Sequence, residues 1–203
     1  MTMRHLLQKP VLIIIGKSAS GKDTLQKKLT SAFGCIPFVS VTTRPMRDGE
    51  KEGVNYFFRS KDDFFSLVEQ GKIFEYRTYE TLVNNTPDTW FYGSVKQELL
   101  PSTYYIVVVD IDGAIAYAKA YGGQNCTVAF VECPDEIREK RARERGSFNK
   151  QEWDRRMTDD KEKFSKERLA ELGKVLGQEK YFRINNVGEN IAKAEVQEKY
   201  FVE

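Results

Sequence analysis

Gly16-Lys17-Ser18-Ala19-Ser20-Gly21-Lys22 carries the clearest chemistry in the chain. Its frame, G-x-x-x-x-G-K, is that of a phosphate-binding loop. The glycines allow a tight nest of backbone N–H groups that faces an anion, and a helix N-terminus adds partial positive charge. Lys22 reaches the β- and γ-phosphates, so Gly16, Ser20, Gly21 and Lys22 are candidate ATP contacts. Asp23 stands where Ser or Thr ordinarily gives a hydroxyl to Mg²⁺. Either Asp23 holds the metal through water, or Thr24 supplies the hydroxyl, or Asp23 is simply a favourable first-turn acid. An ordinary Gly/Ser turn is the bland alternative to the whole motif.

Other residues are spaced for anion chemistry. Arg44 and Arg47 are three apart, so their forked guanidinium groups can converge on one phosphate; a solvated basic turn is the alternative. Glu75 sits among apolar residues in Ile73-Phe74-Glu75-Tyr76. A carboxylate there needs donors. On an edge strand, Glu75 would instead be a surface carboxylate. Asp110 ends an apolar run, the position from which a carboxylate faces the ligand crevice of a parallel sheet and helps hold Mg²⁺ through water. A helix N-cap is its alternative role, and Asp112 shares it. Arg138, Arg141 and Arg145 lie at i, i+3 and i+7 on one helix, with Arg156 on the next. Phosphoryl transfer spreads charge over equatorial oxygens, so arginines from a lid stabilise it strongly. The alternative is a solvated face paired to Glu139, Glu144 and Asp159. That alternative is adopted for Arg138 and Arg143, and catalysis for Arg141, Arg145 and Arg156.

The elements that must position these groups follow from apolar patterning. Val11–Ile15, Phe38–Val41, Ile106–Val109 and Thr127–Val131 are continuous apolar or near-apolar runs, as in strands buried on both faces of a parallel sheet, with a weaker strand at Tyr181–Ile184. Helices are predicted over 22–33, 61–70, 135–145 and 151–172, with an Ala-rich helix after Gly113. Strands alternating with helices give an α/β fold, a parallel sheet flanked by helices. The stretch 39–91 differs, with Gly49 and Gly53 in a polar turn followed by aromatic and β-type runs. It reads as an inserted, mostly antiparallel subdomain with one helix. Within it Asn84, Asn85, Pro87 and Asp88 predict a long loop or turn over 78–91.

Composition narrows the function. The chain has 203 residues, 40% hydrophobic and 31% charged, with net charge +2. That fits one soluble α/β domain and by itself suggests neither nucleic acid nor a membrane as partner. No apolar run approaches a membrane span or a secretory signal core, so the cytoplasm is the expected compartment. Cys35, Cys126 and Cys133 form no metal or disulfide spacing and read as small buried hydrophobes. His5 is the only histidine, which argues against a histidine triad.

From Ser40-Val41-Thr42-Thr43-Arg44-Pro45-Met46-Arg47-Asp48-Gly49-Glu50 and Asn55-Tyr56-Phe57-Phe58 onward, the chain resembles guanylate kinase. The resemblance runs from the phosphate loop to about Asn185. It implies a phosphate-loop core over 10–38, 95–137 and 157–203, a nucleoside-monophosphate-binding insertion over 39–94 and a short helical lid over 138–156. It implies ATP-dependent phosphorylation of GMP or dGMP with Mg²⁺, by a monomer or homodimer. Arg44, Arg47, Tyr56 and Tyr92 would hold the GMP phosphate. Ser40, Glu75, Ser94 and Asp112 would contact the base. Arg141, Arg145 and Arg156 would be lid arginines, and Asn185 would touch adenine. Another (deoxy)nucleoside monophosphate as acceptor is one alternative. A non-catalytic interaction domain is the other, although such relatives typically lose the loop glycines and lysine retained here.

Overall fold

In the computed structural model, residues 9–83, 86–144, 148–176, 181–187 and 195–199 are described. His5, Asn84, Asn85 and Arg145 lie outside them. The chain divides into two units, 1–37 with 99–203, and 38–98.

In the first unit, strand β1 (Val11–Ile15) is buried at all five positions, because it is paired on both sides and covered on both faces. Six strands run in the order β10-β9-β8-β1-β7-β2, where β2 is Ile36–Pro37, β7 Tyr105–Val108, β8 Cys126–Glu132, β9 Tyr181–Asn185 and β10 Glu195–Lys199. All pairings are parallel except that of β10 with β9. Helix α1 (Lys22–Phe33) lays Leu25 and Leu29 onto Leu12, Ile14, Ile106, Ala129 and Val131. The remaining helices are α3 (Ile111–Tyr121), α4 (Asp135–Glu144), α5 (Lys150–Lys163) and α6 (Lys166–Leu176). Cys35 and Cys126 are buried as expected, and Cys133 is half-buried.

The single helix predicted over 151–172 is two. Phe164 leaves helical geometry at φ −104°, where its ring stacks on Phe130 at 5.6 Å. Ser165 then opens α6, its carbonyl accepting from the Leu169 N–H.

In the second unit, four strands run in the order β4-β3-β6-β5: Phe57–Phe58, Val41–Thr42, Thr86–Val95 and Ile73–Val83. Helix α2 (Lys61–Glu69) starts at Ser60, whose hydroxyl accepts from the Asp63 N–H, and it buries Phe64 against Val41 and Ile73. Gly93 lets this helix approach the sheet, since a Cβ there would stand 2.9 Å from both Phe64 and Ile73. The expected strand at 38–41 is not one strand. Residues 38–40 are in no strand and join β2, in the sheet of the first unit, to β3, in the sheet of the second, so only Val41 of the four is paired. The expected loop over 78–91 is a β-ribbon instead. Pairing of β5 with β6 continues to Val83–Thr86, with Tyr79 stacked on Trp90 and Thr89 bonded to Glu80 at 2.9 Å.

Candidate active site

The loop Gly16-Lys17-Ser18-Ala19-Ser20-Gly21 joins β1 to α1. Gly16 has φ +154°, and a Cβ there would meet the Val131 carbonyl oxygen at 2.5 Å, so only glycine fits. Ala19 (φ +58°) and Gly21 (φ +100°) are left-handed as well, and these reversals curl the loop. A left-handed alanine costs about 1 kcal/mol, so neighbouring contacts must hold it. The Lys17 carbonyl accepts from Lys22 Nζ at 2.9 Å and from the Ser20 N–H at 3.2 Å. The Ser20 carbonyl accepts from Asn186 Nδ2 at 2.8 Å and from Arg141 Nη1 at 3.4 Å. Arg141 also bonds to Asn186 Oδ1 at 3.4 Å and to Cys133 Sγ at 3.3 Å, which brings its guanidinium to the loop. Burial pushes the Cys133 thiol up, partly offset by Arg141 and Arg138. Asp23 and Thr24 are exposed in the first turn of α1.

Asp110 does cap a helix. Its Oδ1 accepts from the Gly113 N–H at 3.1 Å, while Oδ2 lies 3.5 Å from Lys163 Nζ. Asp112 is exposed on α3 and ion-paired to Arg168 of α6. Asn185 ends β9, half-buried beside Glu132. The next residue, Asn186, is the one that grips the loop. Arg156 donates to Glu152, one turn back on its own helix, at 2.7 Å. Its neighbour Arg155 bonds the same carboxylate. These two guanidinium groups, Arg155 first, hold the Glu152 carboxyl down at about 2.

Arg138 overturns its expectation. It is not a solvated arginine but fully buried, paired to Asp160 at 2.9 Å and to Asp135 at 2.6 Å. Its guanidinium lies 5.8 Å from the centre of the Trp153 ring. Arg143 behaves as expected, exposed and paired to Glu139 at 2.6 Å.

In the second unit Arg44 is buried and grips Glu50 with both ends of its fork, at 2.7 and 3.0 Å. Glu50 also accepts from the Arg47 N–H at 2.8 Å, while the Arg47 side chain is exposed. Hydrogen bonding to Arg44 holds the Glu50 carboxyl below the ordinary carboxylate range. The Arg44 guanidinium stands 5.5 Å from the Tyr56 ring, which meets Tyr92 edge-on at 5.9 Å. Burial pushes the Tyr56 hydroxyl up. The Arg44 fork and the Arg47 N–H thus hold one carboxylate, with Tyr56 beside the Arg44 guanidinium and Tyr92 against Tyr56; a forked guanidinium set for a carboxylate is equally suited to a phosphate.

Glu75 is set by a bulge. Pairing shifts between Ile73 and Glu75, leaving Phe74 extra and Glu75 opposite Ser94. Ser94 Oγ donates to Glu75 Oε1 at 2.6 Å, and Arg77 Nε lies 3.6 Å from the other oxygen. Ser40 is half-buried where β3 begins, its carbonyl accepting from the Phe57 N–H at 2.9 Å.

A family model described as Guanylate kinase matches residues 8–194. The chain belongs to the guanylate kinase family. A protein named guanylate kinase from Synechococcus sp. (strain JA-3-3Ab) is 31% identical over 72% of this chain and 66% of its own length, a little under two thirds. Another, from Rickettsia felis (strain ATCC VR-1525 / URRWXCal2), is 33% identical over 70% of this chain and 71% of its own. A third, from Legionella pneumophila (strain Lens), is 42% identical over 54% and 51%. The crystal structure of guanylate kinase from Anaplasma phagocytophilum superposes with a TM-score of 0.51 at 22% identity, covering 92% of this chain and 81% of that one. At that identity the likeness concerns the fold.

Sequence reasoning missed Ser18, Asp160 and Asn186, which hold the loop in the first unit, and Glu50, which holds Arg44 in the second. One signal for Asp160 was available. It falls on the apolar stripe Trp153, Met157, Asp160, Phe164 of α5 and the turn after it, where a charge requires a buried partner. Asn186 carried no signal that set it apart from Asn185.

Proposed function

We propose that the chain is an ATP-dependent guanylate kinase, moving the γ-phosphoryl group of ATP to GMP or dGMP and giving ADP with GDP or dGDP. The observation that carries this reading is the bulge-set Glu75 carboxylate, bonded to Ser94 at 2.6 Å, in the same small sheet unit as the Arg44–Tyr56–Tyr92 cluster. One end of such a site accepts from N1–H and the exocyclic amine of guanine, and the other end binds a phosphate. Ser40 and Asp112 are further base contacts in this reading.

In the donor half, the loop amides and Lys22 hold the triphosphate, and Asn185 reaches the adenine. The attacking atom is already an anionic phosphate oxygen, so no histidine base is required. Catalysis is positioning and charge stabilisation. Arg141 beside the Ser20 carbonyl stabilises charge on the transferred group, with Arg145 and Arg156 assigned the same role.

Mg²⁺ is the implied companion of ATP. Among the described residues no three carboxylate, histidine or cysteine side chains cluster as a metal cage. Mg²⁺ does not need one, because it keeps several waters and takes one or two protein oxygens besides the phosphates. Asp110 fits as a partner through water, with Asp23 or Thr24 as the second. When bound, the ion neutralises charge on the β- and γ-oxygens.

No helix among the described residues is long and apolar enough to cross a membrane. We assign the enzyme to purine nucleotide metabolism in the cytoplasm, acting as a monomer or homodimer without nucleic acid. An acceptor panel of GMP, dGMP, AMP, CMP, UMP and dTMP with Mg·ATP tests the reading. Turnover confined to GMP and dGMP is expected. Preference for any other base, or no ADP formed with any acceptor, would overturn it.

A further inference from the structure

Ser18 is gripped at both ends of its backbone by one buried ion pair. Its N–H donates to Asp160 Oδ2 at 2.9 Å, and its carbonyl accepts from Arg138 Nη1 at 3.0 Å. The same Arg138 nitrogen donates to the same Asp160 oxygen at 2.9 Å, and the Ser18 hydroxyl donates to Asp160 Oδ1 at 3.3 Å. Arg138 is 0% exposed and Asp160 7%. The peptide group that gives its N–H to Asp160 is the one whose carbonyl, on Lys17, receives Lys22 Nζ at 2.9 Å. The following peptide leads into Ala19, the strained left-handed residue of the loop.

We propose that Asp160 and Arg138 are positioning residues of the donor site, which lock the Lys17–Ser18 and Ser18–Ala19 peptides and so fix Lys22 and the phosphate nest. Turning the first peptide over would take the Lys17 carbonyl away from Lys22 and send an N–H elsewhere. Turning the second would relax Ala19 and open the nest. The clamp comes from α4 and α5, the helices that also bear Arg141 and Arg156, so it ties the loop's shape to the transfer arginines. A buried ion pair is a weak way to gain stability, since well-packed apolar side chains in its place are often neutral or better. Here its geometry supplies what apolar side chains cannot, an acceptor for one loop peptide and a donor for the next.

The inference rests on the proposed role of the loop in binding ATP, and it is tested without phosphoryl transfer. Mg·ATP and GMP affinities are measured separately by titration calorimetry, with thermal unfolding alongside, for wild type, Asp160→Asn and the double variant Arg138→Leu/Asp160→Ala. The double variant is expected to keep a wild-type Tm while its Kd for ATP rises roughly tenfold, the scale of one charge-assisted hydrogen bond, with GMP affinity unchanged. Asp160→Asn, nearly isosteric, is expected to weaken ATP in the same direction when titrated well below its own Tm. Wild-type ATP affinity in a folded double variant would overturn the proposal. So would equal weakening of ATP and GMP, or variants that lose only stability or do not fold at all. If wild type binds ATP but phosphorylates no GMP, the kinase reading fails, and the ATP comparison still decides the role of the clamp.

Discussion

Glu75→Gln removes a charge and one acceptor while keeping the side chain's size. In the wild type one carboxylate oxygen receives the Ser94 hydroxyl at 2.6 Å and the other lies 3.6 Å from Arg77 Nε. A carboxylate has about four lone-pair sites, so capacity remains for the two N–H donors of guanine. The glutamine amide has a single oxygen. The Ser94 hydroxyl can rotate to suit either end of it, but whichever way the amide turns, one guanine donor loses its acceptor or meets an N–H. At least one charge-assisted hydrogen bond disappears, about 1.5–3 kcal/mol, or roughly 10- to 150-fold in kcat/KM for GMP. The KM for ATP should stay within about twofold, because Glu75 bonds to Ser94 and Arg77 of its own unit and acts on the acceptor only. The assay couples ADP formation to NADH oxidation, varying GMP at saturating ATP and then the reverse. Inosine monophosphate, which lacks the exocyclic amine, serves as a second acceptor. The GMP-to-IMP preference of wild type should shrink in the variant. An unchanged preference, a loss for GMP under about threefold, or an equal loss for ATP would refute the assignment of Glu75 to the base edge.

Arg44→Lys replaces a planar fork by a point charge and cannot span both oxygens of Glu50 or of a phosphate. A loss of about 100-fold in kcat/KM for GMP with ATP affinity retained is expected, measured in the same coupled assay. Excising residues 80–89 and closing Tyr79 to Trp90 with Asn-Gly shortens the ribbon beyond the site, so GMP turnover should remain within about threefold and thermal unfolding should stay cooperative. The Cys126 thiol, pushed up to about 12 by burial, should resist alkylation of the native protein at pH 8, as should Cys35, while half-buried Cys133 reacts slowly. Because unfolding returns the Cys126 thiol to its ordinary value of 9.0, stability measured by denaturant titration should fall as the pH climbs past that value.

Much of the fold was legible because parallel strands buried on both faces are written as unbroken apolar runs, as at Val11–Ile15. The phosphate loop was legible because its glycines answer to backbone needs that no other residue meets, as at Gly16. What stayed hidden depends on contacts between distant residues. Phe38-Val39-Ser40-Val41 reads as one strand, yet its first three residues are the link between two sheets and only Val41 is paired, and local propensity carries no trace of that. The ribbon from Tyr79 to Trp90 reads as a loop because Asn, Pro and Asp outweigh cross-strand pairs that exist only after folding. The bulge at Phe74 is invisible in one strand alone, because it is defined by the partner's register.

Arg138 shows why charge patterning misleads at a site. On α4 it stands among Glu136, Glu139, Arg141 and Arg143, a composition that reads as a solvated face. Its true partner is Asp160, 22 residues later on another helix, where a carboxylate interrupts the apolar stripe of α5. Each residue alone breaks a packing rule, an arginine with no exposed surface and an aspartate on a buried stripe. Together they pair with each other and also hold the two peptides around Ser18. A charged residue on the apolar stripe of one helix, and a second helix rich in the opposite charge, is therefore a pattern to test for mutual burial before either is assigned to solvent. In this chain that test leads directly to the phosphate loop.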